Sequence, residues 1–371
     1  MAELFIGLMS GTSLDGVDGV LADVAADGIA VRAHASRPFP VALRAELLAL
    51  NTADGANELH RAALAANGLA RVYADVVRRL LGEAGVAAAD VRAIGAHGQT
   101  VRHRPGEFDE TGYTLQVNNP ALLAELAGID VVADFRSRDL AAGGQGAPLV
   151  PAFHHALFAR GDETVAVLNL GGISNLSLLP AGEGAVLGFD CGPGNALLDH
   201  WCQSHRGQPF DADGAWAAGG TVLPELLARL LAEPYFAKPA PKSTGRDLFN
   251  PTWLAAHLRA AAQAAPADVQ ATLAELTVSA CVAGIERYGK ESKRLIVCGG
   301  GALNGHLLAR LAARLPGVAV SSSAAHGLPP QQVEAAAFAW LARRTVRRES
   351  GSLASVTGAR GDRVLGAVHP A

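Results

Sequence analysis

The chain has 371 residues, half of them apolar and 18% charged, with a net charge of −4. That balance excludes a disordered polypeptide, and lysines and arginines scattered among acids exclude the footprint of a nucleic-acid binder. No apolar run reaches the roughly 18 residues of a membrane span, and the N-terminus has no basic region followed by a small-residue cleavage site, so a cytoplasmic protein is expected.

The length exceeds one ordinary core and predicts two domains. Residues 4–24 read as two apolar arms around a turn rich in Gly, Ser, Thr and Asp, the pattern of a β-hairpin. A helical stretch follows over 58–85, with Leu69, Val72, Val76 and Leu80 at helical spacing. It leads into a short strand that ends in polar glycine chemistry, "VRAIGAHGQT" (91–100). "VVADFRSRDLAAGGQGAP" (131–148) is an apolar strand followed by charge, and 143–162 is read as a crossover. The same order then returns: a hairpin, "TVAVLNLGGISNLSLLP" (164–180), a helix over 267–289 with Val269, Leu273, Leu276 and Ala280 in register, and a strand ending in glycines, "KRLIVCGGGALNG" (293–305). A last helix over 331–346 begins after Pro329 and Pro330, which suit a helix entry, and is open to packing back against the first half.

A duplicated α/β architecture follows, with mixed sheets flanked by helices and a ligand cleft between the halves. The expected domains are 1–134, with about 345–371 packing back on it, and 135–344. The basic cluster Arg343, Arg344, Arg347 and Arg348 closes the last helix, where cations suit the dipole. Cys191, Cys202, Cys281 and Cys298 show neither zinc-site nor disulfide spacing.

The common nucleotide and serine-hydrolase signatures are absent. Phosphate binding without lysine remains open, because backbone N–H groups in a glycine-rich turn form an anion nest and a metal ion can supply charge. Gly11, Thr12 and Ser13 offer such donors, while Asp15 or Asp18 could face a hydrated Mg²⁺, an ion that takes one or two carboxylates and keeps its waters. The alternative is a tight hairpin turn. A second turn, Gly171, Gly172, Ile173, Ser174 and Asn175, makes a two-loop grip on a triphosphate possible. Gly299, Gly300 and Gly301 would let a purine or ribose approach the backbone, or simply end a strand.

Asp190, framed by Gly188, Gly192, Pro193 and Gly194 at an expected strand-to-helix corner, is the candidate general base; the alternative is a helix cap. His97 and Gln99 can hydrogen-bond hydroxyls, and Arg136 or Arg138 can grip a carboxylate through a bidentate fork. Glu334 sits in the first turn of the last helix.

Together "GLMSGTSLDGVD", "AHGQT", "DFRSRDLAAGGQGAPLVPAFH", "LNLGGISNL", "GFDCGPGN" and "VEAAAFAWLA" resemble the 1,6-anhydro-N-acetylmuramic acid kinases, colinearly from residue 4 to about 342. The resemblance implies two ribonuclease-H-like domains of the actin-like ATPase and sugar-kinase superfamily. It implies an ATP- and Mg²⁺-dependent homodimer that opens the anhydro bridge, gives N-acetylmuramic acid 6-phosphate and recycles peptidoglycan. On this resemblance Gly11, Thr12, Ser13, Leu14, Asp15, Gly16, Val17 and Asp18 form the first phosphate loop and Gly171 to Asn175 the second. Gly299 to Gly301 bind nucleotide, Asp190 is the catalytic aspartate, Glu334 lies near the sugar, and Arg136 or Arg138 takes the lactyl carboxylate. Two positions depart: Cys191 stands where threonine is more usual, and Leu8 and Met9 stand where the superfamily commonly has an aspartate. Other readings are a kinase for levoglucosan, a conventional sugar kinase, and an actin-like chaperone or filament protein.

Overall fold

The computed structural model describes residues 2–11, 14–25, 28–53, 55–246 and 248–371. The chain forms two compact units, residues 1–157 with 332–371, and residues 158–331.

The first unit is built on a six-stranded sheet in the order β13-β7-β4-β1-β2-β3. Its strands are β1 (Glu3–Met9), β2 (Gly16–Val24), β3 (Ile29–Pro38), β4 (Val91–Ala96), β7 (Val131–Ala133) and β13 (Ala367–His369). A separate hairpin pairs β5 (Gln99–Pro105) with β6 (Gly112–Val117). β1, β2 and β3 run antiparallel, whereas β4 and β7 continue parallel to β1.

The second unit repeats this plan in the order β10-β9-β8-β11-β12. Its strands are β8 (Thr164–Leu170), β9 (Ile173–Leu179), β10 (Leu187–Pro193), β11 (Ser292–Cys298) and β12 (Ala319–Ser322). Three antiparallel strands followed by two parallel ones, in both units, is the ribonuclease-H-like arrangement that the resemblance implies.

Helix Glu58–Ala84 covers one face of the first sheet, burying Leu69, Val72, Val76 and Leu80 in a core shared with Ile6, Leu8 and Ile94. Helix Val333–Val346 packs against β1, β2 and β4. It does so at backbone contact distance: a side chain on Gly7 would run into the backbone of Ala335 and Ala339, and one on Gly95 into that of Phe338. The run of alanines at 335–337 and 339 leaves room for that approach. Helix Pro266–Tyr288 packs against β9 and β10 in the second unit, and Leu273, Leu276 and Ile285 join Leu168 and Leu176 in its core.

The division differs from the expected 134/135 and 344/345 boundaries. Residues 135–157 stay with the first unit because their loop is bonded to the C-terminal segment, Gln145 N–H to the Thr357 carbonyl (2.8 Å) and Arg360 N–H to that of Ala142 (2.9 Å). The last helix joins the first unit because β1, β2 and β4 form its seat. Among the described residues no helix is long and apolar enough to cross a membrane, and the four cysteines are buried thiols.

Candidate active site

In the first unit, the ends of β1 and β4 carry the polar segments. Thr12 and Ser13 lie outside the described residues. The rest of the first loop is tied down from several sides. The Gly11 carbonyl accepts from Leu14 N–H (3.2 Å) and from Gln99 Nε2 (3.1 Å). Leu14 has φ 58°, the left-handed region in which a branched side chain is unusual, and its carbonyl accepts from Arg44 Nε (2.9 Å). Gly16, Val17 and Asp18 have already entered β2. Buried Tyr73, from helix Glu58–Ala84, bonds Ser10 Oγ (3.0 Å) and accepts from Gly98 N–H (3.0 Å), joining the two glycine segments; burial pushes its phenol up to about 12.

Asp15 and Asp18 are the carboxylates of this loop. The Asp15 side chain is 78% exposed with Arg44 Nη2 at 3.9 Å, and that of Asp18 is 50% exposed with His34 Nε2 at 3.7 Å. One or two accessible carboxylates fit a largely hydrated Mg²⁺. Among the described residues no group of three or more His, Cys, Asp or Glu gathers as a protein-built metal cage would require.

His97 and Gln99 were expected to meet hydroxyls, and their inner atoms are instead engaged within the protein. His97 Nε2 accepts from Arg136 Nη2 (2.9 Å) and Nε (3.3 Å), and Arg136 Nη1 donates to the Gly146 carbonyl (2.7 Å). Burial, then the Arg136 charge, holds His97 down at about 3 and His103 at about 4. A neutral His97 that accepts at Nε2 carries its proton on Nδ1. His97 Nδ1 and Gln99 Oε1 are both buried. Arg136 is half-buried whereas Arg138, two residues on, is exposed. Phe338 packs against His97 with ring centroids 4.8 Å apart and the planes tilted by 41°. Glu334, half-buried one helical turn before Phe338, lies on the same helix.

Asp139 fastens the loop behind Arg136. Its fully buried carboxylate accepts from Gly146 N–H (2.8 Å) and Thr357 Oγ1 (2.8 Å). Gly146, whose carbonyl orients Arg136, is thereby itself held.

In the second unit, the hairpin turn, the base candidate and the glycine triplet converge. The carbonyls of Gly171 and Gly172 face the start of helix Ala196–Arg206, accepting from Asn195 N–H (2.8 Å) and Ala196 N–H (3.1 Å). In trans peptides the N–H opposes the preceding C=O, so the N–H groups of Gly172 and Ile173 face away from that helix, as an anion nest requires. Ser174 Oγ donates to the Gly192 carbonyl (3.1 Å). Asn175 pairs with Asn169 on one side and Asp190 on the other, and its Oδ1 is buried with no protein partner. Asn195 Nδ2 donates to the Leu170 carbonyl (2.9 Å), and its amide borders Gly300 and Gly301. Gly299, at φ 78°, abuts Leu170, where no side chain would fit.

Asp190 lies within β10, not at the strand-to-helix corner; the corner proper falls between Pro193 and Ala196. It does not cap the helix. Its Oδ2 accepts from Thr244 N–H (3.0 Å), its N–H donates to the Lys242 carbonyl (3.0 Å), and its carbonyl accepts from Tyr235 Oη (2.8 Å). Burial, then the Asp190 charge, pushes the Tyr235 phenol up, keeping it a donor. Lys242 Nζ is turned to the carbonyls of Tyr235 (3.3 Å) and Phe236 (3.2 Å). Cys191 packs against Cys281, and that contact together with burial pushes its thiol well up. The sequence reading passed over the segment 242–246; its signal is Lys, Ser, Thr, Gly and Arg in five consecutive positions.

A family model described as anhydro-N-acetylmuramic acid kinase matches residues 3–371. The chain belongs to the anhydro-N-acetylmuramic acid kinase family. It is 75% identical to the anhydro-N-acetylmuramic acid kinase of Variovorax paradoxus (strain S110), over 100% of this chain and 99% of the relative. It is 64% identical to that of Albidiferax ferrireducens, over 100% of each. Among solved structures it is similar to the activator of the 2-hydroxyisocaproyl-CoA dehydratase from Clostridium difficile with bound ADPNP, at 13% identity and TM-score 0.46, covering 94% of this chain and 96% of that one. Membership of this kinase family makes a phosphoryl donor and a hydroxylated acceptor the ligands against which the two polar clusters are to be read.

Proposed function

We propose that the protein phosphorylates 1,6-anhydro-N-acetylmuramic acid with ATP while water opens its anhydro bridge, giving N-acetylmuramic acid 6-phosphate in the recycling of peptidoglycan. In an ordinary sugar kinase the base takes a proton from the attacking hydroxyl, but O6 in the bridge has none to lose. Asp190 therefore takes a proton from water as its oxygen bonds to C1. The C1–O6 bond breaks, O6 takes the γ-phosphoryl group, ADP leaves, and the proton on Asp190 returns to solvent.

The observation that carries this reading is the setting of Asp190: a half-buried carboxylate oriented by the Thr244 N–H and paired across the sheet with Asn175 of the glycine loop. The N–H groups of Gly172 and Ile173 face the phosphates, and Gly299 to Gly301 with Asn195 make room for the nucleoside. Charge then develops on the phosphoryl group where fixed donors already point. Gly11, Thr12 and Ser13 would supply the second set of phosphate donors, and Mg²⁺ held by Asp15 or Asp18 would neutralise phosphate charge there. Arg136, held by neutral His97 and the Gly146 carbonyl, takes the lactyl carboxylate in preference to Arg138, while Glu334 and the strand end at His97 and Gln99 serve the sugar's polar groups. A cytoplasmic homodimer belongs to the same proposal and is read by fractionation and sedimentation equilibrium.

Turnover in ¹⁸O-labelled water decides the reaction, because only the hydrolytic route places solvent oxygen at C1. Incorporation of one label into the phosphorylated product is expected, and a product free of label would sink the mechanism. Asp190→Asn keeps an acceptor for Thr244 N–H and should fold, while losing about 10²–10⁴ in rate. Near-normal turnover in that variant would remove Asp190 as the base.

A further inference from the structure

The second glycine loop has no lysine or arginine of its own, yet the fold delivers one. Residues 242–244 are fastened to β10 beside the base, through Asp190 N–H to the Lys242 carbonyl and Thr244 N–H to Asp190 Oδ2, each 3.0 Å. Two residues on, the guanidinium of Arg246 lies over Gly172. A Cβ built on that glycine would stand 3.6 Å from Arg246 Nη2 and 3.8 Å from Nε. The edge of the fork that bears Nε and Nη2 is thus turned to the loop, at ordinary contact distance from the Gly172 Cβ position. Arg246 is exposed.

We propose that Arg246 binds the terminal phosphoryl group of the nucleotide, the group that is transferred. The inference rests on the kinase reading above. Two fixed points place this contact at the end of the triphosphate: the loop donors at Gly172 and Ile173, and the carboxylate of Asp190, both reached by one five-residue segment. Backbone N–H groups supply only partial charges. A guanidinium adds a full one and, through two parallel N–H bonds, matches the geometry of phosphate oxygens. As phosphoryl transfer proceeds, charge spreads over the equatorial oxygens, where such a fork is most effective.

The test compares the full-length wild type with Arg246→Ala and Arg246→Lys, measuring Mg²⁺-nucleotide affinity by calorimetry and turnover on the anhydro sugar. In Arg246→Ala, ATP affinity is expected to fall by about tenfold or more, as loss of a charge-assisted bond implies, and ADP affinity by no more than about twofold. The kcat should fall by about 10²–10³, with KM for the amino sugar nearly unchanged. Arg246→Lys, which restores the charge without the fork, should recover part of the ATP preference. Equal weakening of ATP and ADP would assign Arg246 to the general upkeep of the nucleotide site and overturn the proposal, as would an ATP affinity and kcat that stay at the wild-type level. A wild type that does not phosphorylate the anhydro sugar would overturn the kinase reading instead, and the ATP-against-ADP comparison would still decide the role of Arg246.

Discussion

Buried beside a guanidinium, the imidazole of His97 cannot afford a proton, and this has a consequence for stability. Its native pKa of about 3 lies below the ordinary 6.5, so between those values the unfolded chain binds a proton that the native chain does not. The stabilising contribution is complete above pH 6.5 and is lost as pH falls towards 3, by about 1.4 kcal/mol per pH unit. Urea unfolding at pH 7 and pH 5 should therefore show a loss of about 2 kcal/mol that His97→Gln does not share. Equal losses in the two proteins would remove His97 from the acid sensitivity, leaving His154, whose buried ring is likewise held at about 3, and His103, held at about 4. The sequence marked His97 as polar chemistry at a strand end, but not its partner. Arg136 is 39 residues away in the chain, and no local pattern distinguishes it from Arg138.

Elements meet here through positions at which side chains are missing or buried. Helix Val333–Val346 rests on strand backbone at Gly7 and Gly95, so Gly95→Val should force the helix away and lower stability by at least about 1–3 kcal/mol, read as a shift in the denaturation midpoint. An unchanged midpoint would mean that the helix is free to move. The loop at 142–146 depends similarly on Asp139. Losing its carboxylate leaves Gly146 N–H or Thr357 Oγ1 short of an acceptor, at a cost of about 1–3 kcal/mol. Because Gly146 orients Arg136, Asp139→Ala should also raise KM for the lactyl-bearing sugar while leaving KM for ATP nearly unchanged. Equal rises in both would show a merely structural role. The periodicity of the last helix and its proline entry were readable from the sequence. Its seat was not, because Gly7 and Gly95 look like ordinary strand glycines until a helix is placed against them.

At the scale of the whole molecule, the repeat of hairpin, helix and glycine-ended strand was legible because each half restates the same hydrophobic periods, and both sheets carry the order it implies. The boundary was not. Residues 135–157 read as the start of a second half, yet long-range bonds such as that from Thr357 to Asp139 bind them into the first. The candidate site was legible where glycines stand with a polar residue in one segment, with Ser174 and Asn175 at 171–175 and with Asp190 at 188–194. It was illegible where the fold imports a group, as with Arg44 at Leu14 and Thr244 at Asp190. The discontinuous first unit makes its own prediction. A chain ending at Gln331 should retain a protease-resistant core from 158–331 and lose protection over 1–157, and protection retained over 1–157 would show that the closing helix is dispensable.

That discontinuity also sets a timetable. On the ribosome, residues 1–157 emerge first, but the helix that covers β1 and β4 follows only after the 174 residues of 158–331. At a synthesis rate of about 5–20 residues per second, the sheet face containing Gly7 and Gly95 stays uncovered for roughly ten to thirty-five seconds. A nascent chain of this protein therefore carries an unfinished apolar surface through nearly half of its translation, and this face is where a chaperone would be expected to hold it.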